Sequence, residues 1–217
     1  CLTQAVDRNR VALAGISAGA GMAVLLATLH PERFQAIAMH SGIAPGVAHS
    51  SVTAIKAMFG QTVTTSPLPA IAPDVRLPAL LVIHGAADHV VAPVNGREAA
   101  LRWAERVGAK AGKARRVQRG ARYAATITDF RKSRQLTATL CEIERLGHAW
   151  SGGAAGQPYS DPQGPDASRM IWSFIARQFA RAAGLRRCDR LFKCLASRSA
   201  SARERVDRIE HLSKAKK

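Results

Sequence analysis

A serine, an aspartate and a histidine lie along the chain in an order that suits nucleophilic catalysis: Ser17, Asp88 and His148. A serine hydroxyl is a weak nucleophile at neutral pH, so it needs a base within hydrogen-bond reach. The base in turn needs an acid that fixes its tautomer and stabilises its cation. One recurring catalytic triad also has the chain order nucleophile, acid, histidine. The three residues therefore predict acyl transfer through an ester of Ser17.

Ser17 has the local sequence that a nucleophile elbow requires. An apolar run ends at Gly15-Ile16-Ser17-Ala18-Gly19, and a run of small and apolar residues follows. Such a strand–turn–helix segment lifts the serine hydroxyl clear of the sheet. Glycine is expected at Gly15 and Gly19 because a Cβ there would collide with the turn or with the neighbouring strand. An ordinary glycine-rich turn between a strand and a helix is the alternative interpretation.

The acid and the base each have a simpler interpretation. Aspartate is common in turns, and Asp88 comes shortly after Gly85 at the end of an apolar run. His148 follows Gly147 and can simply form hydrogen bonds within its loop. Other histidines and aspartates of the chain compete for these roles. The competing histidines lie at strand ends, where backbone hydrogen bonding is expected, and none of the competing aspartates follows a core strand as Asp88 does. These competitors are His40 and His84 for the base, and Asp74, Asp129 and Asp161 for the acid.

Apolar strands that alternate with helices must position these residues. The predicted elements are strands over 9–16, 34–40 and 77–84, helices over 17–29, 50–59, 95–107 and 167–183, and a hairpin over 121–130 and 135–143. This alternation predicts an α/β fold with a mostly parallel sheet and helices on both faces. Ser17, Asp88 and His148 each follow the end of a predicted strand, where ligands bind in such sheets. We therefore expect the three side chains to meet.

The chain of 217 residues carries a net charge of +17, but the distribution of this charge does not favour nucleic-acid binding. Residues 185–217 contain eleven basic and four acidic residues, a net of +7, and the acid-free stretch 110–122 contains six further basic residues. Neither cluster interleaves the aromatic residues of a stacking platform. We therefore predict a solvated loop and a solvated tail, with no specific nucleic-acid partner and only weak, salt-sensitive attraction to polyanions.

The remaining composition bears on cofactors and membrane attachment. The four cysteines form no Cys-x-x-Cys pair, and Cys188 and Cys194 lack the partners of a zinc site. The chain has no uncharged apolar run of about 18 residues, so no membrane span is expected. It begins with Cys1, a few residues before a core strand and without a signal-peptide pattern, which we interpret as a missing N-terminal segment.

Several motifs, in the correct order, make the chain resemble a known family. They are Asp7-x-x-Arg10-Val11 before the elbow, Ile83-His84-Gly85 with Asp88, Val91 and Pro93-Val94-Asn95-Gly96, then Gly147-His148-Ala149-Trp150-Ser151-Gly152-Gly153 and Gly164-Pro165-Asp166-Ala167-Ser168. In these motifs the chain resembles the esterase family of poly(3-hydroxybutyrate) depolymerases, which are α/β-hydrolases related to feruloyl and acetylxylan esterases. The resemblance implies Ser17 as nucleophile, Asp88 as acid and His148 as base.

The resemblance also implies a reaction and its setting. The reaction would be hydrolysis of carboxylic esters through an acyl-Ser17 intermediate, without a metal or organic cofactor. Polyhydroxyalkanoate or other polyester oligomers are the implied substrates, with feruloyl or acetyl esters of plant polysaccharide close behind, and a peptidase of the same fold is a weaker alternative. An extracellular or periplasmic location is implied in the same way. Trp150, two residues after the expected base, either packs in the core or forms a wall of the acyl pocket.

Two regions depart from the family pattern. The N-terminal strands and the His-Gly loop that supplies part of the oxyanion hole do not occur in this sequence, so the backbone N–H of Ala18 is the expected oxyanion donor. The strand over 9–16 is then expected to have an unpaired, apolar edge. We predict a partial α/β-hydrolase domain over 1–184 and a basic, poorly ordered tail over 185–217. The alternative to an esterase is an inactive fragment, or a basic binding module without the oxyanion loop.

Overall fold

The computed structural model describes residues 7–48, 50–61, 66–71 and 75–184. The chain divides into two units, Cys1–Gln178 and Phe179–Lys217, and the sheet belongs to the first. The predicted tail over 185–217 lies outside the described residues, so its predicted boundary and order stay predictions.

Four parallel strands form the centre of the first unit. They are β1 (Ala12–Ile16), β2 (Ala36–His40), β3 (Ala79–Gly85) and β7 (Gln135–Ile143), in the spatial order β1-β2-β3-β7. Ile16 is in register with His40, His40 with Ile83, and Gly85 with Ile143. The carboxyl ends of the four strands are therefore aligned, and the segments that follow them emerge side by side.

The helices lie close to their predicted positions. They are α1 (Ala18–Leu29), a 3₁₀ turn (Pro31–Arg33), α2 (Ser51–Met58), α3 (Val94–Glu105) and a last helix, α4, over 167–184. The helix α1 ends because His30 precedes a proline, which disfavours the helical conformation. The helix α2 begins with a capping box in which Ser50 and Thr53 each accept a hydrogen bond from the other's backbone N–H.

The antiparallel side of the sheet corrects one prediction. The expected hairpin is present as β6 (Ala125–Lys132) and β7, and its second arm joins β3. The basic stretch 110–122, which was predicted to be a solvated loop, instead contributes β4 (Lys110–Ala111) and β5 (Arg115–Val117), both paired to β6. The backbone of these exposed arginines pairs with β6, so strand pairing rather than side-chain polarity determines the local structure.

The described core lies between the sheet and the helices α1 and α3. Every residue of β2 and β3 is buried, and Trp103 of α3 donates its indole N–H to the carbonyl of Pro78 at 2.9 Å. The strand β1 is half-buried and has β2 as its one partner among the described strands, so its other edge is unpaired there, as expected for the strand over 9–16. The helix α1 exposes its large apolar side chains, which are Met22, Leu25, Leu26 and Leu29.

A small second sheet follows His148 in the chain. It consists of β8 (Trp150–Ser151) and β9 (Ser160–Asp161), two residues each and parallel. Among the described residues, no helix has the length and apolar content that crossing a membrane requires.

Candidate active site

Ser17 lies in the sharp turn between β1 and α1. Its backbone angles are φ 53° and ψ −121°, a strained conformation for a residue with a side chain. The turn is held by the Ser17 N–H, which donates to the carbonyl of His40 at 2.9 Å, and by the Ser17 carbonyl, which accepts from Ala20 at 3.0 Å. These features are those of the predicted elbow.

The two glycines of the elbow differ in the space that is available for a side chain. A Cβ on Gly15 would overlap the carbonyl group of Gly19, so only glycine fits at that position. A Cβ on Gly19 would meet no heavy atom within 4 Å apart from its chain neighbours and the backbone of its own helix. The expectation of a collision is therefore wrong for Gly19, because this residue faces open space at the start of α1.

Asp88 lies just after β3, in the turn that begins at Gly85. Its N–H donates to the carbonyl of Gly85 at 3.2 Å, so Asp88 is a turn residue, as the simpler interpretation proposed. Its carboxylate is buried, and Oδ1 accepts the backbone N–H groups of Val90 at 3.0 Å and Val91 at 2.8 Å. These bonds leave Oδ2 directed at His148, which lies 2.8 Å away through Nδ1. The turn therefore positions the Asp88 carboxylate against His148.

His148 completes a chain of hydrogen bonds that connects three strand ends. Its Nδ1–H donates to Asp88, so Nε2 carries the lone pair and accepts the hydroxyl of Ser17 at 3.1 Å. The loop that carries His148 is held against the turn after β3, where Ala87 donates to the carbonyl of Leu146 at 3.0 Å. The imidazole is 10% exposed, so a substrate can reach it while Asp88 stays buried. Ser17, Asp88 and His148 are thus brought together as predicted.

The expected oxyanion donor lies at the first residue of α1. Among the residues that the structure describes, the N–H of Ala18 has no acceptor, as is usual in the first turn of a helix. The partial positive charge at a helix N-terminus favours an anion at this position. Ala18 can therefore donate to an oxyanion that forms beside Ser17.

His40 forms hydrogen bonds with the loop segment beyond His148 and does not contact Ser17 through its ring. Its Nε2 accepts the N–H of Ser151 at 3.3 Å, so Nδ1 carries the proton and donates to Ser41 at 3.0 Å. Burial lowers the pKa of His40 to about 3, with smaller contributions from the nearby His84 and His148. His40 is therefore neutral over the ordinary pH range and holds a single tautomer.

His84 is the second competitor for the base, and it lies behind Asp88. Its Nε2–H donates to the carbonyl of Val91 at 2.9 Å and is 3.6 Å from Asp88 Oδ2, while its buried Nδ1 has no partner in the described part of the chain. Burial lowers its pKa, so the ring is held neutral. A Cβ on Gly96 would lie 2.8 Å from this Nδ1, so glycine is needed there to make room for the ring.

The competing aspartates lie elsewhere. Asp129 is on β6, where Thr139 donates to it at 2.7 Å and Arg115 and Arg131 each lie 3.4 Å away. Asp161 is on β9 and accepts the N–H of Gln163 at 2.8 Å. Asp74 lies outside the described residues. The geometry brings neither Asp129 nor Asp161 to His148.

Two aromatic residues pack against histidines of the site, Trp150 on His40 and Tyr159 on His148. Trp150 stacks on His40 with ring centroids 5.1 Å apart, and its indole N–H donates to Ser168 at 3.2 Å, so it is half-buried packing against a site residue. Tyr159 meets His148 edge-on at 6.3 Å, is 72% exposed and has a positive φ of 52°. Sequence reasoning did not find Tyr159, because it lies in a loop rich in proline, glycine and aspartate without a motif around it.

Within the described ranges, no group of three or more histidine, cysteine, aspartate or glutamate side chains is arranged to hold a metal ion. The neutral His40 and His84 already use their ring N–H groups for hydrogen bonds to Ser41 and Val91.

A family comparison bears directly on these residues. The family model described as Esterase PHB depolymerase matches residues 2–122, more than half of the chain. The chain belongs to this esterase family. The matched segment contains Ser17, Ala18 and Asp88, whereas His148 lies beyond it and is brought to the site by β7 and the following loop.

Three solved structures that resemble this chain are esterases with the α/β-hydrolase type of fold. One is an acetyl xylan esterase from Aspergillus awamori, with 22% identity and a TM-score of 0.54, where the match covers 65% of this chain and 55% of that chain. The second is a PHB depolymerase complexed with an R3HB trimer, with 14% identity and a TM-score of 0.57, covering 78% of this chain and 52% of that chain. The third is a PHB depolymerase from Penicillium funiculosum, with 14% identity and a TM-score of 0.54, covering 76% of this chain and 50% of that chain. At these identities the likeness shows the fold, which is the predicted one. The chain spans about half the length of each of these structures. The curated proteins contain no match to this sequence.

Proposed function

We propose that the chain carries the catalytic triad of a serine esterase, with Ser17 as nucleophile, His148 as base and Asp88 as acid. The observation that supports this most directly is the continuous hydrogen-bond chain from Asp88 Oδ2 through both ring nitrogens of His148 to Ser17 Oγ, at 2.8 and 3.1 Å. Membership of an esterase family supports the same reaction class.

The proposed reaction proceeds through two acyl transfers. Ser17 Oγ attacks the carbonyl carbon of the ester while His148 Nε2 takes its proton, and the N–H of Ala18 donates to the resulting oxyanion. The carbon–oxygen bond to the alcohol then breaks, and His148 gives the proton to the leaving alkoxide. Water attacks the acyl-Ser17 ester in the same way, which releases the carboxylic acid and restores the Ser17 hydroxyl. Asp88 holds the Nδ1–H tautomer and stabilises the imidazolium that forms in each half.

The proposed substrates are polyester oligomers such as those of 3-hydroxyalkanoic acids, or acetyl and feruloyl esters of plant polysaccharide. The named neighbours support these classes, since two are PHB depolymerases and one is an acetyl xylan esterase. Trp150, which stacks on His40, and Tyr159, which meets His148 edge-on, are the proposed walls of the acyl pocket. An extracellular or periplasmic location belongs to the same proposal.

Labelling with a fluorophosphonate probe tests the triad directly, because the probe phosphonylates an activated serine with loss of fluoride. We expect labelling of the wild-type chain, none of Ser17→Ala, and labelling of His148→Ala that is slower by several orders of magnitude. Ser51→Ala, which changes an exposed serine at the start of α2, is the matched control and should label like the wild type. A folded wild-type chain that does not label would contradict the proposal and favour the inactive fragment or basic binding module.

A further inference from the structure

A cavity lies away from the triad, between α4 and the antiparallel side of the sheet. Its volume is about 720 Å³, within the range of about 300–1,000 Å³ that small-molecule sites occupy. Its two walls are the N-terminal half of α4, and β5 with the loop after it. Its floor consists of side chains from β3, β6 and β7. Ser17, Asp88 and His148 are not among the residues that line it.

The walls of this groove carry positive charge. Six arginines line it against two aspartates, Asp129 and Asp166, so the lining has a net of four positive charges. Burial raises the pKa of the Cys141 thiol on the floor to about 12, so this cysteine is neutral and adds no negative charge. A strong excess of one sign around a concave surface favours an anionic ligand.

Part of this charge is not used by the protein itself. Asp129 is paired with Arg115 and Arg131, and Arg122 donates to the carbonyls of Pro162 and Gly164. The guanidinium groups of the remaining three lining arginines have no ion-pair partner among the described residues, and these are Arg119, Arg169 and Arg177.

Arg169 and Arg177 lie on the same face of α4, eight residues apart with Ser173 between them. Residues four apart share one side of a helix, so the two guanidinium groups stand along one wall. Arg119 lies in the loop after β5, on the opposite wall. An acid group in the groove can therefore meet a cation from either side.

The floor between the two walls is apolar. It includes Leu81 of β3, Ile127 of β6 and Leu136 of β7, with Met170 and Phe174 from α4 beside it. A purely inorganic anion would leave this surface exposed to water, whereas a hydrocarbon chain would bury it at about 25 cal/mol per Å². The combination of an apolar floor and cationic walls fits a ligand with both characters.

We propose that this groove binds amphipathic carboxylates, with the aliphatic chain on the floor and the carboxylate held by Arg169 and Arg177. The site is independent of the proposed triad, since it requires no reaction at Ser17. Both fatty acids and the free acids of hydroxyalkanoate oligomers are amphipathic carboxylates of this kind.

Isothermal titration calorimetry on the full chain tests this proposal, with dodecanoate kept below the concentration at which it forms micelles. We expect one site per chain, and binding about tenfold weaker or more in the Arg169→Gln/Arg177→Gln variant because charge-assisted hydrogen bonds are lost. The variant Arg8→Gln/Lys56→Gln removes two exposed charges outside the groove lining and is the matched control, expected to bind like the wild type. Ser173→Trp should also weaken binding, because it fills the groove without removing charge.

Two further ligands separate the parts of the proposal. Dodecyltrimethylammonium has the same chain with the opposite charge, and acetate has the carboxylate without the chain, so both should bind far more weakly than dodecanoate. Equal binding of either one, no binding of dodecanoate, or an unchanged affinity in Arg169→Gln/Arg177→Gln would overturn the proposal. The free acid of a 3-hydroxybutyrate trimer, compared with dodecanoate, shows which source the groove prefers. Thermal unfolding of each variant verifies that it is folded, and activity of Ser17 is not needed for any of these results.

Discussion

The two halves of the proposed triad rest on different parts of the molecule. Asp88 and His148 follow β3 and β7, and β3 is buried along its whole length. Ser17 follows β1, which is half-buried, and precedes α1, whose outer face exposes several large apolar side chains. The acid and base are therefore supported by the centre of the core, and the nucleophile by its margin.

This difference shows that catalytic geometry and structural support are separate properties. Both distances in the hydrogen-bond chain are short, although the elements that carry them differ in burial. Close packing resists displacement more strongly than a half-exposed surface does. We therefore expect truncation of a buried side chain in β3 to cost more stability than substitution of an exposed side chain on α1.

The largest expected effect comes from Asp88→Asn, on the buried side of the comparison. The amide can still accept from Val90 and Val91, but its NH₂ group then faces His148 and favours the tautomer with the proton on Nε2. That tautomer cannot accept the Ser17 proton, so turnover of a short-chain ester should fall by about 10⁴. Asp161→Asn is the matched control and should leave the rate unchanged. A loss in Asp88→Asn of less than tenfold would contradict the assigned role.

The elbow offers a matched pair of glycine variants on the marginal side. Gly15→Ala forces a Cβ into the carbonyl group of Gly19, so the free energy of unfolding should fall by about 3 kcal/mol. Gly19→Ala meets open space within a helix, where alanine is favoured over glycine, and should raise it by about 0.5–1 kcal/mol. Urea unfolding measures both, and equal effects at the two positions would contradict the geometry of the turn.

His40 should make the stability of the molecule depend on pH. Its pKa is about 3 in the folded state and near 6.5 when unfolded, so the unfolded chain binds more protons between these values. This contribution is fully present above pH 6.5 and is lost as the pH falls, by about 2 kcal/mol at pH 5. His84 changes stability in the same direction.

Urea unfolding at pH 7 and pH 5 checks this prediction. His40→Phe should show a smaller loss of stability between the two pH values than the wild type, because its ring does not titrate. His30→Phe, which changes an exposed histidine at the end of α1, is the control and should keep the wild-type dependence. An unchanged pH dependence in His40→Phe would contradict the assignment.

The smallest effect is expected at the exposed face of α1. Leu25→Gln changes a side chain that is 50% exposed and should alter the free energy of unfolding by only about 0.5 kcal/mol or less. Leu80→Ala, in the buried strand β3, should cost about 2–5 kcal/mol by the same measurement. If Leu25→Gln cost as much as Leu80→Ala, the exposed face of α1 would be covered in solution, and the comparison of the two regions would fail.

The parts of the site that sequence could predict are those set by local pattern. Ser17 lies in a strand–turn–helix motif, and Asp88 and His148 each follow an apolar strand, so their meeting follows from a parallel sheet with aligned strand ends. The contacts that bring Ser17, Asp88 and His148 together also depend on the register between strands that are distant in sequence. The match of Gly85 with Ile143 is one example.

The parts that sequence could not predict are set by long-range contacts. The basic residues Arg115 and Arg116 resemble loop residues in composition, and only pairing with Ile127 and Thr126 makes them a strand. Tyr159 reaches His148 because β9 pairs with β8, two short strands without a sequence pattern of their own. The open space at Gly19 likewise depends on what lies around α1, which no local motif describes.

His40 bonds through different atoms to Ser17 and to the segment that follows His148. Its carbonyl accepts the N–H of Ser17 at 2.9 Å, and its Nε2 accepts the N–H of Ser151, three residues after His148, at 3.3 Å. A thermal displacement of the end of β2 therefore carries the nucleophile and the loop of the base in the same direction. A displacement that both residues share leaves the distance between them unchanged, so the distance between Ser17 and His148 should fluctuate less than the position of either residue.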